Sequence, residues 1–268
     1  MSSTQRVLGI DFFDGAVREA VDTISAKGGL LVAPSGTCFA RLQRDPDYRQ
    51  AVTSADLALA DSGFMVALWR ILRRRRITRI SGLAYLKELL AGPDLRSAGS
   101  TVWVLPNNIA QEKAKRWLDE HGFLSGSESF YVAPIYGARA EDSALLARIR
   151  SQRPAHVVIG LGGGVQEKLG SYLREKYVVS TDFRSPTSDL RDRSHRPAIH
   201  CIGGALGIVT GDQKPIPDWA DRFYLGWLLR LLANPRVFIP RLWDARLLPF
   251  LLIKYGEELP PISTSVRN

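Results

Sequence analysis

The chain reads as an α/β protein built on a mostly parallel sheet with crossover helices. Three observations predict this. Short apolar runs alternate with helically spaced segments over most of the length. Several of those runs close on glycine, where a strand would turn into a helix. One of them, His156-Val157-Val158-Ile159-Gly160-Leu161, is apolar without alternation, as a strand covered on both faces must be.

The elements follow in order. Asp14–Lys27 places Ala16, Val17, Ala20, Val21 and Ile24 at helical spacing, and Gly28-Gly29 ends it. Leu30–Ala33 is a strand, Pro34-Ser35-Gly36 a turn, and a helix follows through Phe39 and Leu42. Asp47–Thr53 is a short helix, and Ala55–Ala60 a strand ending at Asp61-Ser62-Gly63. Helices follow at Phe64–Leu72 and Gly82–Leu90. Ser100–Leu105 is a strand, Ala110–His121 a helix, Ser129–Val132 a short strand and Glu141–Arg150 a helix. The strand at His156–Leu161 runs into Gly162-Gly163-Gly164 and a helix carrying Gln166 and Glu167. Ala198–Ile202 closes the series on Gly203-Gly204.

Two segments differ. Ser180–Pro197 is rich in hydroxyls, mixed charge and proline, and reads as a mobile loop, of a length that is often functional inside a compact domain. After Pro217 the chain becomes rich in Trp, Leu, Phe and Arg. The division expected is a main domain over residues 1–215 and an amphipathic helical appendage over 216–268. Met1–Arg6 and Ser263–Asn268 read as polar, disordered ends.

The 268 residues, 45% of them hydrophobic, suffice for one large domain plus an appendage. A net charge of +9 attracts anions: nucleic acid, acidic lipid or phosphorylated small molecules. No helix-turn-helix or aromatic-stacking pattern supports nucleic acid. No signal peptide and no spanning helix is evident, so the expected place is the cytoplasm, with peripheral membrane contact. Cys38 and Cys201 have no metal-type spacing around them and read as buried thiols. Neither the four histidines nor any Asp-x-Asp at a strand end forms a metal motif, so no metal and no cofactor is expected.

Ligands of open α/β sheets bind beyond the carboxyl ends of the strands. Three such ends carry unusual residues: Ala33–Gly36, Asp61–Gly63 and Gly162–Glu167. Glycine turns admit a phosphate to the backbone, and helix N-termini favour its charge. Asp61 reads equally as a general base or as a helix cap. Arg70–Arg79 holds six arginines, a solvated basic turn or a contact for phosphate or acidic lipid. Arg79 stands apart from the run and suits a diphosphate clamp.

These motifs resemble, in sequence order, the WecG/TagA/CpsF family of glycosyltransferases. The resemblance covers about Leu30 to Trp243. It is carried by Val32-Ala33-Pro34-Ser35, by Arg44-Asp45-Pro46-Asp47-Tyr48-Arg49, and by Ala55–Gly63. It continues through Arg79-Ile80-Ser81-Gly82, Val158–Glu167, Cys201–Gly211, Pro217-Asp218-Trp219 and Trp227–Arg236. The resemblance implies a Rossmann-like domain and inverting, metal-independent transfer from a UDP-sugar to a polyprenyl-diphosphate-linked saccharide. Asp61 would be the base. Arg79 and Gln166 would hold the donor, together with Ser35, Gly162, Gly163, Glu167, Gly203 and Gly204. Arg230, Arg236 and Arg241 would contact the acceptor diphosphate or an anionic membrane, on the inner face of the plasma membrane. The chain departs from the family pattern in Ala33-Pro34-Ser35, which stands for a Thr-Pro-Asn turn, and in Gly163-Gly164-Val165, which lacks a proline and a lysine. Those altered donor turns motivate the alternative of a non-catalytic nucleotide-sugar- or lipid-binding partner of a polysaccharide assembly complex. The apolar C-terminal face also leaves homo-oligomer formation open.

Overall fold

The computed structural model describes residues 3–179, 195–213 and 245–263. Eight strands form one sheet: β1 Thr4–Val7, β2 Ile10–Phe13, β3 Gly29–Val32, β4 Leu57–Ala58, β5 Thr101–Leu105, β6 Phe130–Val132, β7 His156–Ile159 and β8 Ala198–Cys201. Their spatial order is β1-β2-β4-β3-β8-β7-β5-β6. Only the β1–β2 pair is antiparallel; the other pairs are parallel. The protein is therefore α/β, with a Rossmann-like, mostly parallel sheet flanked by helices.

The strands β3, β5, β7 and β8 are buried along their whole length because helices cover both faces. One face carries the 3₁₀ run Gly36–Gln43, α2 (Pro46–Thr53), α3 (Gly63–Arg73), α6 (Ser143–Gln152) and α7 (Val165–Val179). The other carries α1 (Val17–Lys27), α4 (Gly82–Ala91), α5 (Asn108–Glu120) and α8 (Ala205–Val209). A last helix, α9 (Leu247–Tyr255), buries Leu248, Leu251 and Leu252 in the first of these layers.

Short polar side chains start the helices by accepting orphan amides. Asp45 accepts from Tyr48 N with Pro46 at the first helical position; Ser62 and Ser81 cap α3 and α4. Asn107 and Asp142 do the same for α5 and α6.

Three expectations need correction. The N-terminal segment is not a disordered polar end up to Arg6: Thr4–Val7 pairs with Ile10–Phe13 in a hairpin. Leu8 (φ 51°) and Gly9 (φ 78°) make its tight turn, and Val7, Leu8, Ile10 and Phe12 are fully buried. The strand expected over Ala55–Ala60 is regular only at Leu57–Ala58; on its N-terminal side the Asp56 carboxylate takes the Leu30 amide at 2.8 Å, in place of a backbone carbonyl. The helix expected after Gly36 is a 3₁₀ run. Of the expected appendage, 245–263 packs onto the main domain: Leu8 N and Gly9 N donate to the carbonyls of Gly256 and Glu257. Most of Ser180–Pro197, together with Arg230, Arg236 and Arg241, lies outside the described residues. Among the described residues no helix is long and apolar enough to cross a membrane.

Candidate active site

The chain leaves β3 and β7 toward one face of the sheet and leaves β8, which lies between them, toward the other. Such a reversal opens a crevice at the carboxyl edge. The turns that follow β3, β4, β7 and β8 meet there in a closed ring of short contacts.

The ring can be traced residue by residue. The Asp61 carboxylate Oδ1 accepts from Gly82 N at 2.9 Å, at the start of α4. A Cβ on Gly82 would lie 3.0 Å from the Ile202 carbonyl, so α4 begins against the end of β8. The next residue, Gly203 (φ 62°), donates its amide to Gln166 Oε1 at 2.7 Å. Gln166 follows the Gly162–Gly164 turn, where a Cβ on Gly163 would meet Cys38 Sγ at 2.9 Å and Ser35 Oγ at 3.7 Å. Gly36, beside Ser35, would in turn meet Ser62 Oγ at 2.7 Å. Ser62 adjoins Asp61, which completes the circuit. Arg79 joins it by donating Nε to the Asp61 carbonyl at 3.0 Å.

The structure thus brings Ser35, Asp61, Arg79, Gly162, Gly163, Gln166 and Gly203 to one edge of the sheet. Gly204 stands at the N-terminus of α8, packed on Gln213. Asp61 does not cap its own helix, since Ser62 does that; its carboxylate spans to the next one.

Glu167 differs from its neighbours. It is fully buried and faces into the turn, accepting from Gly164 N at 2.6 Å and from Gln166 Nε2 at 3.2 Å. Burial raises its pKa; its own backbone amide, Gln166, the Gly164 amide and the Arg41 charge oppose that rise. Gln166 is likewise 2% exposed, with its amide group divided between Gly203 and Glu167.

Cys38 and Cys201 are free and buried beneath the ring. Burial pushes both thiols up, so neither is poised as a nucleophile. Among the described residues no cluster of three metal-ligating side chains occurs. Two surface cavities lie away from the ring. One of about 500 Å³ sits between α3 and α9, lined by Trp69, Arg73 and Lys254 among others. The other, of about 380 Å³, is walled by Leu90, Trp117 and Phe123.

One contact lay beyond the reach of the linear pattern. The Arg41 guanidinium rests on Gly164, 2.6 to 3.0 Å from where a Cβ would stand. No motif distinguishes Arg41 in the sequence; only the fold places it at the glycine turn.

A Rossmann-like sheet with glycine turns, a carboxylate and a guanidinium gathered at its carboxyl edge defines an α/β protein whose ligand crevice lies at the reversal of strand connections. The model of the glycosyl transferase WecG/TagA/CpsF family matches residues 5–261, nearly the whole chain. The chain belongs to that family. Membership carries glycosyl transfer in cell-surface polysaccharide biosynthesis, with a nucleotide-sugar donor and a lipid-linked acceptor as the general substrate classes.

Proposed function

We propose that the protein transfers a sugar, with inversion and without a metal, from a UDP-sugar to a polyprenyl-diphosphate-linked saccharide. The observation that carries this reading is the closed ring joining Asp61 to Arg79 and Gln166 at the crevice. Asp61 removes the proton from the acceptor hydroxyl as its oxygen attacks the anomeric carbon. The new glycosidic C–O bond forms as the bond to the UDP β-phosphate oxygen breaks, and UDP leaves with the bonding pair. The Gly82 amide fixes one carboxylate oxygen and so orients the base.

Arg79 and the backbone turn at Gly162 and Gly163 stabilise the charge on the departing diphosphate, and Gly203 and Gly204 let it approach the end of β8 without a side chain in the way. Ser35 contributes a hydroxyl to the same subsite. Gln166 and Glu167 act from behind, because their side chains already hold the Gly203 and Gly164 amides.

The acceptor is lipid-linked, so the reaction takes place at an anionic membrane on the cytoplasmic side. Arg230, Arg236 and Arg241 are proposed to contact the acceptor diphosphate or the headgroups. The described surface supports such contact. Ile71 (72% exposed), Phe250 (54%) and Ile253 (62%) project from the neighbouring helices α3 and α9. The exposed run Arg73–Arg76 follows directly. Apolar side chains rimmed by cations suit an anionic bilayer surface.

The test is a donor screen that reads UDP release in the presence of polyprenyl-diphosphate sugars, with wild type and Asp61→Asn side by side. Turnover by the wild type alone supports the reading. Binding of UDP-sugars without turnover across the panel would mark a non-catalytic partner protein.

A further inference from the structure

The ring contains a cation that the proposed mechanism has not yet used. Arg41 lies in the 3₁₀ run that follows β3, and its side chain crosses to the turn after β7. There it packs on Gly164, whose φ of 91° and missing Cβ leave room for the guanidinium. The residue is exposed. Among the described residues its guanidinium makes no hydrogen bond and no ion pair.

Glu167 does not hold it. Glu167 influences Arg41 through space, but both carboxylate oxygens are engaged by Gly164 N and Gln166 Nε2. An arginine placed only to neutralise Glu167 would be expected to donate to it. Instead the guanidinium packs over Gly164, with the residue as a whole exposed.

The turn before Gly164 is open. Gly162 and Gly163 are exposed, and a Cβ on Gly162 would meet nothing within 4 Å. Their amides donate to no backbone carbonyl among the described residues, whereas the amides of Val165 and Gln166 return to the Gly162 carbonyl. Gly163 lies within reach of the Ser35 hydroxyl. An unpartnered guanidinium, two amides that donate to no carbonyl, and beside them the Ser35 hydroxyl, which is shared with Thr37 Oγ1 and Cys38 Sγ, form a donor set for a multiply charged oxyanion.

We propose that Arg41 is a donor-binding residue that grips the diphosphate of the nucleotide-sugar against the Gly162–Gly164 turn. The inference rests on the glycosyl-transfer reading and assigns that site an additional residue. Arg79, bonded to the Asp61 carbonyl, sits at the transfer end of the ring. Arg41 sits at the opposite end, so the diphosphate lies between two guanidinium groups. Arg41 leaves the acceptor side untouched and acts on donor affinity.

The experiment is calorimetric titration of wild type, Arg41→Ala, Arg41→Gln and Arg41→Lys with UDP and, separately, with uridine. UDP affinity should fall about tenfold or more in Arg41→Ala and Arg41→Gln and recover in part in Arg41→Lys. Uridine affinity should be unchanged in all four, because no phosphate is present. Steady-state turnover should show a raised donor KM with kcat little altered. Arg41→Gln keeps the side-chain stem, so a loss shared by Ala and Gln but not Lys reports charge rather than packing. UDP affinity unchanged in Arg41→Ala would overturn the proposal and leave the glycosyl-transfer reading standing. An equal drop for UDP and uridine would overturn it too, showing that Arg41 only shapes the turn. A wild type that neither binds UDP nor turns over any donor would fail the underlying reading as well.

Discussion

Asp61 and Gly82, twenty-one residues apart, are joined by a hydrogen bond of 2.9 Å from the Gly82 amide to the Asp61 carboxylate. The bond ties the end of the β4 turn to the first residue of α4. It therefore has both a structural and a chemical side, and one substitution separates them. Asn in place of Asp61 keeps an oxygen acceptor for the Gly82 amide but cannot take a proton. Asp61→Asn should melt within a few degrees of wild type and lose about 10² to 10⁴ in kcat. Circular dichroism melting and UDP release measure the two sides. Turnover near the wild-type level would remove Asp61 from the chemistry and leave it as the cap of a neighbouring helix.

A second prediction concerns acid. Tyr85 Oη and His200 Nδ1 are 2.9 Å apart, and His200 Nε2 lies 3.1 Å from His156 Nδ1. Both histidines are buried, His200 completely. Burial lowers both pKa values; His156 lowers that of His200 further, while Asp94 partly opposes the shift at His156. A histidine whose folded pKa is depressed is neutral in the fold when its unfolded form, with a pKa of about 6.5, has begun to bind a proton. The unfolded state then binds more protons, so stability is full above about pH 6.5 and falls as pH drops below it. The slope reaches about 1.4 kcal/mol per pH unit for each histidine. Urea midpoints at about pH 7.5 and pH 5.5 should therefore differ more for wild type than for His200→Gln. Equal losses in the two proteins would assign the acid sensitivity to other groups.

These buried histidines also show where sequence reading reached its limit. The alternation of apolar runs and helical spacing located six of the eight strands, because a sheet buried on both faces leaves a strong local signature. His156 stands in the sequence at the head of an apolar strand. Its partner, forty-four residues away, was not legible, since the pairing depends on β7 and β8 being neighbours. The N-terminal hairpin carried a local signal in Leu8-Gly9 between apolar residues, but the polar Ser2–Arg6 stretch masked it. Asp61, Arg79 and the glycine turns were legible as strand ends. That Gln166 and Glu167 face inward was not, because the Gly203 and Gly164 amides that hold them are positioned by tertiary packing. Arg41 escaped for the same reason.

Tyr48 offers a test of polar burial. Its ring is fully buried against the core, and its hydroxyl has no hydrogen-bond partner among the described residues. A buried hydroxyl without a partner costs about 1 to 3 kcal/mol. Tyr48→Phe removes that cost with little change in volume. The variant should be more stable than wild type by about 1 kcal/mol, read as a raised urea midpoint at constant slope. A drop of similar size would mean that the hydroxyl has a partner, such as an ordered water.

The α3/α9 face makes the membrane reading testable apart from chemistry. Ile71 and Ile253, on the neighbouring helices α3 and α9, are exposed at 72% and 62%. Inserted into the headgroup region, each would gain on the order of 1 kcal/mol or more, while Arg74 and Arg76 meet anionic phosphates. Vesicles of phosphatidylglycerol should therefore sediment the wild type, and vesicles of phosphatidylcholine should do so weakly. Ile71→Ser with Ile253→Ser should lower partitioning about tenfold, and Arg74→Glu with Arg76→Glu should remove the preference for anionic lipid. Raising salt to about 0.5 M should weaken what charge supplies and spare what the apolar side chains supply. Neither pair touches the ring around Asp61, so UDP release with a detergent-dispersed acceptor should persist. If both pairs of variants sediment like wild type, the protein meets the bilayer through another surface. If instead the wild type ignores vesicles and dimerises in a concentration-dependent way that Ile71→Ser abolishes, the face belongs to a second subunit.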